Sequence, residues 1–167
     1  MNLYYVRDPI HGFIELNEWE KVIINRPEFQ RLRRIKQLSL SDMVYPATTH
    51  TRFEHSLGVM HVATQMFDNI AQRDKGFLER ELGYDDPALS RQRILIRFAS
   101  LLHDIGHAPF SHAGEDLMPF KDESSGERYK HEDYSISIIK NNFREYIDGY
   151  THNHLNITVD EVMRATD

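Results

Sequence analysis

The residues best suited to chemistry are histidines and aspartates, and their tightest group is His103-Asp104-Ile105-Gly106-His107. Adjacent residues on a helix point about 100° apart. His103 and Asp104 can therefore approach one cation as neighbouring ligands, while His107 lies one turn further on, on the same side as His103. An ionised aspartate in so apolar a stretch is costly unless a cation or hydrogen bonds compensate it. The spacing alone leaves two interpretations open, a metal-binding pair and a structural hydrogen-bonding unit.

A second histidine, His55, lies at the start of another periodic segment, in the sequence RFEHS. A metal site needs ligands from more than one element, and two packed helices can bring His55 against His103 and Asp104. The chain has no cysteine, so a metal must be held by imidazole and carboxylate. His61 falls off the turn that contains His55, and we interpret it as a surface or supporting residue. We expect the remaining histidines to be structural or exposed, namely His11, His50, His152 and His154.

The elements that must position these residues are predicted to be helices. Apolar residues recur at intervals of three and four over residues 27–40, 54–71, 91–105 and 131–146, which indicates helices with a buried face. Residues 108–130 are rich in Pro, Gly, Ser and charge, and they predict a long loop with one short helical turn. Only PIHGFIEL, residues 9–16, alternates as a strand does. The class is therefore mainly α, with at most a short N-terminal β-hairpin or extended segment.

The length of 167 residues predicts one domain, 1–167, whose residues 1–25 form an N-terminal extended segment. Thr158 and Glu161 form a capping box for a last helix. That helix has only about two turns before the chain ends at Asp167, and we expect so short a helix to bury little surface. We therefore expect the chain to be the N-terminal part of a longer protein, and the alternative is a frayed terminal helix.

Composition excludes several classes of protein. The net charge is −6, with 26 acidic and 20 basic residues, which argues against nucleic acid as the main partner. The sequence lacks a run of about 18 apolar residues and a signal peptide, so we expect a cytoplasmic protein without a membrane partner. The one basic cluster, residues 30–37, is interpreted as the solvated face of a helix, with phosphate contact as the alternative.

Several motifs occur in one order along the chain: DPIHGFIEL, FQRLRRIKQL, RFEHSLGV, LLHDIGHAPFSH and YKHED. This set resembles the HD-domain superfamily, specifically its deoxynucleoside triphosphate triphosphohydrolase branch. The resemblance implies an all-helical HD fold in which His55, His103 and Asp104 bind one divalent metal ion, for which Mn, Fe, Ni, Zn and Mg are candidates. It also implies a fourth ligand, an aspartate beyond residue 167, without which metal binding is weak and the fragment inactive. None of Asp148, Asp160 and Asp167 stands in the motif for that ligand.

The same resemblance implies a reaction and the residues that carry it. Water attacks the α-phosphorus of a deoxynucleoside triphosphate (dNTP), and deoxynucleoside and inorganic triphosphate leave. His112 is the expected general acid, with His107, Glu115 and His131 around it. Arg52 is expected to bind phosphate, and Gln37 and Leu38 the deoxyribose. Members of this branch are usually homo-oligomers, which we expect of the full-length protein.

Two other functions stay open at this point. The first is an HD phosphohydrolase that acts on another nucleotide or on a phosphomonoester. The second is a non-catalytic module that binds nucleotides or serves assembly and keeps the HD scaffold.

Overall fold

The N-terminus forms an antiparallel hairpin of β1 (Tyr4–Asp8) and β2 (Gly12–Leu16) in a computed structural model that describes residues 3–166. The Asp8 carboxylate accepts hydrogen bonds from the backbone N–H groups of Ile10 and His11 and so closes the turn. The predicted short N-terminal hairpin is thereby confirmed. The extended segment was expected to reach residue 25, but it ends at β2, because an Asn17–Glu20 capping box starts a helix there.

Helices make up most of the rest, which confirms the mainly α class. They are α1 (Glu18–Ile24), α2 (Pro27–Gln30), α3 (Arg52–Arg73), α4 (Lys75–Leu82), α5 (Asp86–Leu102), α6 (His131–Ile138), α7 (Arg144–Ile147) and α8 (Val159–Thr166). A second small hairpin joins β3 (Phe120–Asp122) and β4 (Glu127–Arg128). Within residues 3–166, none of the helices is both long and apolar enough to cross a bilayer.

The core lies where α3 packs along α5, and it receives apolar side chains from the N-terminal elements and from α8. The ring of Trp19 packs edge-on against Phe98 at 4.8 Å and stacks on Tyr150, also at 4.8 Å between centroids. The side chains of Leu101 and Leu102 at the end of α5 are fully buried. Each such side chain contributes about 1.5–3 kcal/mol to folding. The last turn of α5, which precedes His103, is therefore firmly held.

The helix predicted over residues 27–40 is shorter than expected. It consists of α2 and a 3₁₀ turn, Arg31–Arg34, after which Ile35 is extended. The backbone then pairs with the segment before α3, since Arg52 N–H donates to the Ile35 carbonyl and Gln37 N–H to the His50 carbonyl. These bonds satisfy backbone groups that a continued helix would have used. Residues 35–37 are thereby tied to the start of α3.

Other boundaries also differ from the sequence expectation. α5 begins before residue 91, because Asp85 caps it and Pro87 fits its first turn. The loop 108–130 contains the expected short helix, as 3₁₀ turns over Ser111–Leu117, but also the unexpected β3–β4 hairpin. α4 was not predicted. The helix predicted over 131–146 is present as α6, a π-helical segment and α7.

The expectation that the last helix buries little surface is wrong. Val159 and Val162 are fully buried, and α8 packs against α5. The capping box is present, since Thr158 N–H and hydroxyl both donate to the Glu161 carboxylate. α8 buries these residues despite its length because it rests on an element that is already in place.

A buried ion pair joins α5 to α1. Arg97 donates to Glu20 Oε2 at 2.7 Å and also bonds Thr64 Oγ1 and the Glu15 carbonyl, each at 2.9 Å. The side chain of Glu20 is fully buried. Removal of one partner of such a pair leaves an uncompensated charge in the interior.

We predict that Arg97→Met lowers the free energy of unfolding by about 3–5 kcal/mol, because Glu20 loses its counter-charge. Urea denaturation of both proteins measures the change. Arg93→Met is the matched control on the same helix, since its pair with Asp68 is exposed, and it should cost about 1 kcal/mol or less. Equal losses in the two variants would contradict the prediction.

Candidate metal and catalytic site

The candidate site is built on the turn that follows α5, residues 103–107, hereafter the HD turn. A helix end leaves carbonyl groups without partners, and here Arg31 supplies two of the hydrogen bonds. Its guanidinium donates to the carbonyls of Ile105 and, at 2.6 Å, His107. Arg31 belongs to the basic cluster interpreted as a solvated face, and for this residue that interpretation is wrong. The long side chain reaches inward because the turn offers it two acceptors.

The structure brings together His55, His103 and Asp104. Ligand atoms of all three lie within 4.8 Å of one another. His55 Nε2 is 3.5 Å from one carboxylate oxygen of Asp104, and His103 Nε2 is 3.4 Å from the other. The two imidazole rings are tilted by 58° with centroids 5.4 Å apart, so their planes can converge on one point. α3 supplies the first of these side chains, and the HD turn supplies the other two.

The Asp104 carboxylate is the charge at the centre of this group, with 8% of its side chain exposed. Burial alone would raise its pKa. The nearby His107 ring, whose Nε2 is 3.5 Å from the carboxylate, and the charges of His103 and Arg52 outweigh burial, and they hold the pKa of Asp104 well below its usual range. Arg52, at the first position of α3, forms an ion pair with the carboxylate and is itself 2% exposed. The aspartate is therefore ionised at neutral pH.

The histidines of this group have the properties of metal ligands. Burial, together with the charges of His103, Arg52 and His50, lowers the pKa of His55 despite the opposing effect of Asp104. A neutral imidazole presents a free lone pair. His103 Nδ1 lies 2.8 Å from the Ser100 carbonyl and donates to it, which leaves Nε2 for a ligand. Two imidazoles and one carboxylate suit Mn, Fe, Ni or Zn, so these residues fit a divalent cation.

A second group contains His107, His112 and His131, with Glu115 between the last two. One oxygen of Glu115 accepts from His131 Nδ1 at 2.6 Å and from His112 Nδ1 at 3.1 Å. Burial would raise the pKa of Glu115, but the bonds and charges of these two histidines lower it. A carboxylate in this position fixes both rings with Nδ1 protonated. Within residues 3–166, the other nitrogen of each of these two rings makes no hydrogen bond.

The two groups differ in ring geometry. His107 and His131 stack with centroids 3.7 Å apart and only 15° between planes. The lone pairs of parallel rings lie in parallel planes and do not converge on one ion, although ligand atoms of His107, His112 and His131 are within 4.8 Å of one another. By ring geometry, the group of His55, His103 and Asp104 (the His55 group) is therefore better suited to hold one cation than the group of His107, His112 and His131 (the His112 group). His107 joins them, because its Nε2 is 3.5 Å from Asp104.

A strained turn leads into the segment that carries His112. Phe110 and Ser111 both have left-handed backbone conformations, with φ of 71° and 56°, which cost non-glycine residues about 1–3 kcal/mol each. Ser111 accepts a hydrogen bond from Arg52 and donates to the Gln37 carbonyl at 3.3 Å. These bonds hold the turn against the two groups.

Of the two residues predicted to contact deoxyribose, Gln37 lies at the site and Leu38 is exposed. The side-chain carbonyl of Gln37 is buried and accepts no hydrogen bond from residues 3–166. A buried acceptor of this kind is costly unless a ligand or water bonds it. Beside His55, a cleft of about 730 Å³ runs between the β1–β2 turn, residues 47–50 and α3.

The other candidates lie outside both groups. Asp148 bonds Arg144 and the Val159 N–H, and Asp160 also pairs with Arg144, while Asp167 lies outside the described residues. His61 contacts Gln65, and its ring lies 5.3 Å from that of His11. The prediction that His61 is not a ligand therefore agrees with its position.

Three residues of the site were not singled out from the sequence. Arg31 and Ser111 appear in motifs that carry the family resemblance, but nothing in their spacing shows that they bond the HD turn or Arg52. Ser135, on α6, bonds the backbone of the HD turn. The sequence does hold a signal for Ser135. It follows His131 by one helical turn, so the two residues lie on the same face of α6.

Comparison with known proteins agrees with this geometry. The family model described as HD domain matches residues 52–164. "Deoxynucleoside triphosphate triphosphohydrolase SAMHD1 homolog" of Dictyostelium discoideum is 38% identical over 137 residues, 80% of this chain and 24% of the relative. "Deoxynucleoside triphosphate triphosphohydrolase SAMHD1" of Gallus gallus is 38% identical over 152 residues, 86% of this chain and 22% of the relative. "Uncharacterized protein MJ1154" of Methanocaldococcus jannaschii is 42% identical over 149 residues, 86% of this chain and 29% of the relative. The chain thus spans less than a third of each.

We predict that His55→Gln lowers the affinity for Mn²⁺ at least about tenfold, since even the loss of a supporting contact to a ligand costs 10–100-fold. Isothermal titration calorimetry with the metal-free protein gives the affinity. His61→Gln on the same helix is the control, and it should bind Mn²⁺ as the unchanged protein does. If His55→Gln also bound Mn²⁺ unchanged, the assignment of the metal group would be wrong.

Proposed function

Because the chain belongs to the HD-domain family, we propose that it provides the catalytic site of a metal-dependent phosphohydrolase that converts dNTPs to deoxynucleoside and inorganic triphosphate. One observation carries this proposal: a group suited to a divalent cation and a carboxylate-held histidine group meet at His107. Both assist hydrolysis of a phosphate ester, since negative charge on the phosphate is stabilised by a cation while the leaving oxygen takes up a proton. The names of two relatives support the choice of dNTPs.

In the proposed reaction, water adds to the α-phosphorus and the bond from phosphorus to the 5′-oxygen breaks. A divalent cation held by His55, His103 and Asp104 would polarise the phosphate and acidify the attacking water. Protonated His112 gives a proton to the leaving 5′-oxygen, so that deoxynucleoside and triphosphate are the two products.

Glu115 orients the His112 ring for this proton transfer. Its carboxylate accepts from His112 Nδ1 at 3.1 Å, which orients the ring and turns Nε2 away from Glu115. The opposite nitrogen of the ring then carries the proton that is transferred. His131 shares the same carboxylate oxygen and so fixes the direction from which Glu115 approaches His112.

Three residues are proposed to bind the substrate. Gln37 offers its buried, unbonded side-chain oxygen to a sugar hydroxyl, and exposed Leu38 lies next to it. Arg52 remains the proposed phosphate ligand, but its terminal nitrogens bond Asp104 and Ser111. Each of these nitrogens keeps a second N–H, and the buried Nε of Arg52 donates no hydrogen bond within residues 3–166, so donors remain for a phosphate. A fourth metal ligand from further along the polypeptide and a homo-oligomeric assembly also remain proposals.

The first test is chromatographic analysis of products after the longest available form of the protein is incubated with each dNTP and Mn²⁺. We expect deoxynucleoside and intact triphosphate in equal amounts. Release of orthophosphate, or turnover of a different phosphate ester alone, would select another HD phosphohydrolase. Nucleotide binding without any product would select the non-catalytic module.

We predict that His112→Ala lowers kcat about 10²–10⁴-fold, the usual contribution of a general acid. Steady-state kinetics measures the loss, with metal content checked so that only loaded protein is compared. His152→Ala is the control, since His152 is exposed and its ring contacts are with Tyr150 and His154. A kcat for His112→Ala within threefold of the control would exclude the proposed acid.

A further inference from the structure

One buried hydroxyl group connects the two halves of the candidate site. Ser135, on α6, is 1% exposed. Its Oγ accepts a hydrogen bond from the Gly106 N–H at 2.8 Å and donates one to the His103 carbonyl, also at 2.8 Å. Both partners belong to the HD turn, and His103 is a proposed metal ligand. Within residues 3–166, the hydrogen bonds between α6 and the HD turn both involve this hydroxyl.

Gly106 lets α6 approach closely enough for these bonds. A Cβ atom at this position would lie 2.1 Å from the His131 carbonyl oxygen and 2.3 Å from the Ser135 nitrogen. Any side chain at residue 106 would therefore push the first turn of α6 away from the HD turn. The contact is backbone against backbone, and the Ser135 hydroxyl fits into it as a bridge.

The bridge determines where the second half of the site lies. His131 begins α6, one turn before Ser135, and its ring stacks on His107. His131 also holds Glu115, which in turn holds His112. If α6 shifted relative to the HD turn, His131 and the Glu115–His112 pair that it holds would shift relative to Asp104. Misplacement by about 1 Å can cost a hundredfold in rate.

We propose that Ser135 is a positioning residue for the reaction: its hydroxyl sets the distance between the metal-binding group and the histidine–glutamate group. This inference rests on the proposed function. Ser135 itself touches neither substrate nor metal in this arrangement. It acts through the backbone of the HD turn and through His131, so its loss lowers kcat and leaves the substrate-binding residues on other elements in place.

The test compares Ser135→Ala with Ser137→Ala, a control on the same helix whose side chain is exposed. In the longest available form of the protein, we expect Ser135→Ala to lower kcat about 10–100-fold and to change KM less than about twofold. Ser135→Cys keeps the size and a weak donor and should give an intermediate kcat. It also serves as the informative variant if Ser135→Ala does not fold. Rates are expressed per folded, metal-loaded molecule.

A merely structural role predicts a different result. It would lower the melting temperature and the folded fraction, while kcat per folded molecule stayed equal to that of Ser137→Ala in both Ser135 variants. That result would overturn the proposal. Equal losses in kcat and in substrate affinity would overturn it as well, because they would place the effect in substrate binding.

Amide hydrogen exchange separates this inference from the proposed function. The Gly106 amide should exchange at least tenfold faster in Ser135→Ala, while the Ile105 amide, which bonds the Leu102 carbonyl, keeps its rate. If the unchanged protein releases no triphosphate from any dNTP, the proposed function fails, and the exchange rates still decide whether the hydroxyl holds the HD turn. Unchanged exchange at Gly106 would refute the bridge.

Discussion

The ion pair between Arg52 and Asp104 is the interaction on which the site depends. An ionised carboxylate at the end of a buried helix is doubly unfavourable, because it is desolvated and because the helix C-terminus carries partial negative charge. Arg52 lies in the first turn of α3, and its guanidinium compensates the charge of Asp104. The other terminal nitrogen of Arg52 donates a hydrogen bond to the Ser111 hydroxyl. The buried guanidinium of Arg52 thus determines how α3, the end of α5 and the loop that carries His112 pack together.

This constraint explains why the chemistry is divided between two groups of side chains. Next to Asp104, burial lowers the pKa of His55 and favours neutral imidazole, which suits a metal ligand. Further out, one Glu115 oxygen accepts from Nδ1 of both His112 and His131, which orients the two rings. In the proposed reaction, the same type of residue therefore serves two purposes, and its neighbours decide which. His107 connects the two environments.

The sequence predicted the parts of the site that depend on local pattern. Helical periodicity located α3, α5 and α6, and motif order placed His55, His103 and Asp104 in one group. The sequence could not predict the hydrogen bonds of Arg31, because a long cationic side chain on a helix surface is normally solvated. Arg31 points inward here because it donates to carbonyl groups of the HD turn. The early end of the helix after Gln30 has a similar cause, since pairing with residues 50–52 is a long-range effect. Hydrophobic periodicity predicts neither the bonds of Arg31 nor this helix end, because both depend on residues that are distant in the sequence.

The tethers of the HD turn come from residues 31, 52 and 135, which are spread over most of the chain. Closing such long loops is slow and costs entropy, which is recovered only when many contacts form together. The site should therefore appear late in folding, at the same stage as the core. A nascent or partly unfolded chain would therefore carry all of its histidines and still lack the assembled arrangement of His55, His103 and Asp104.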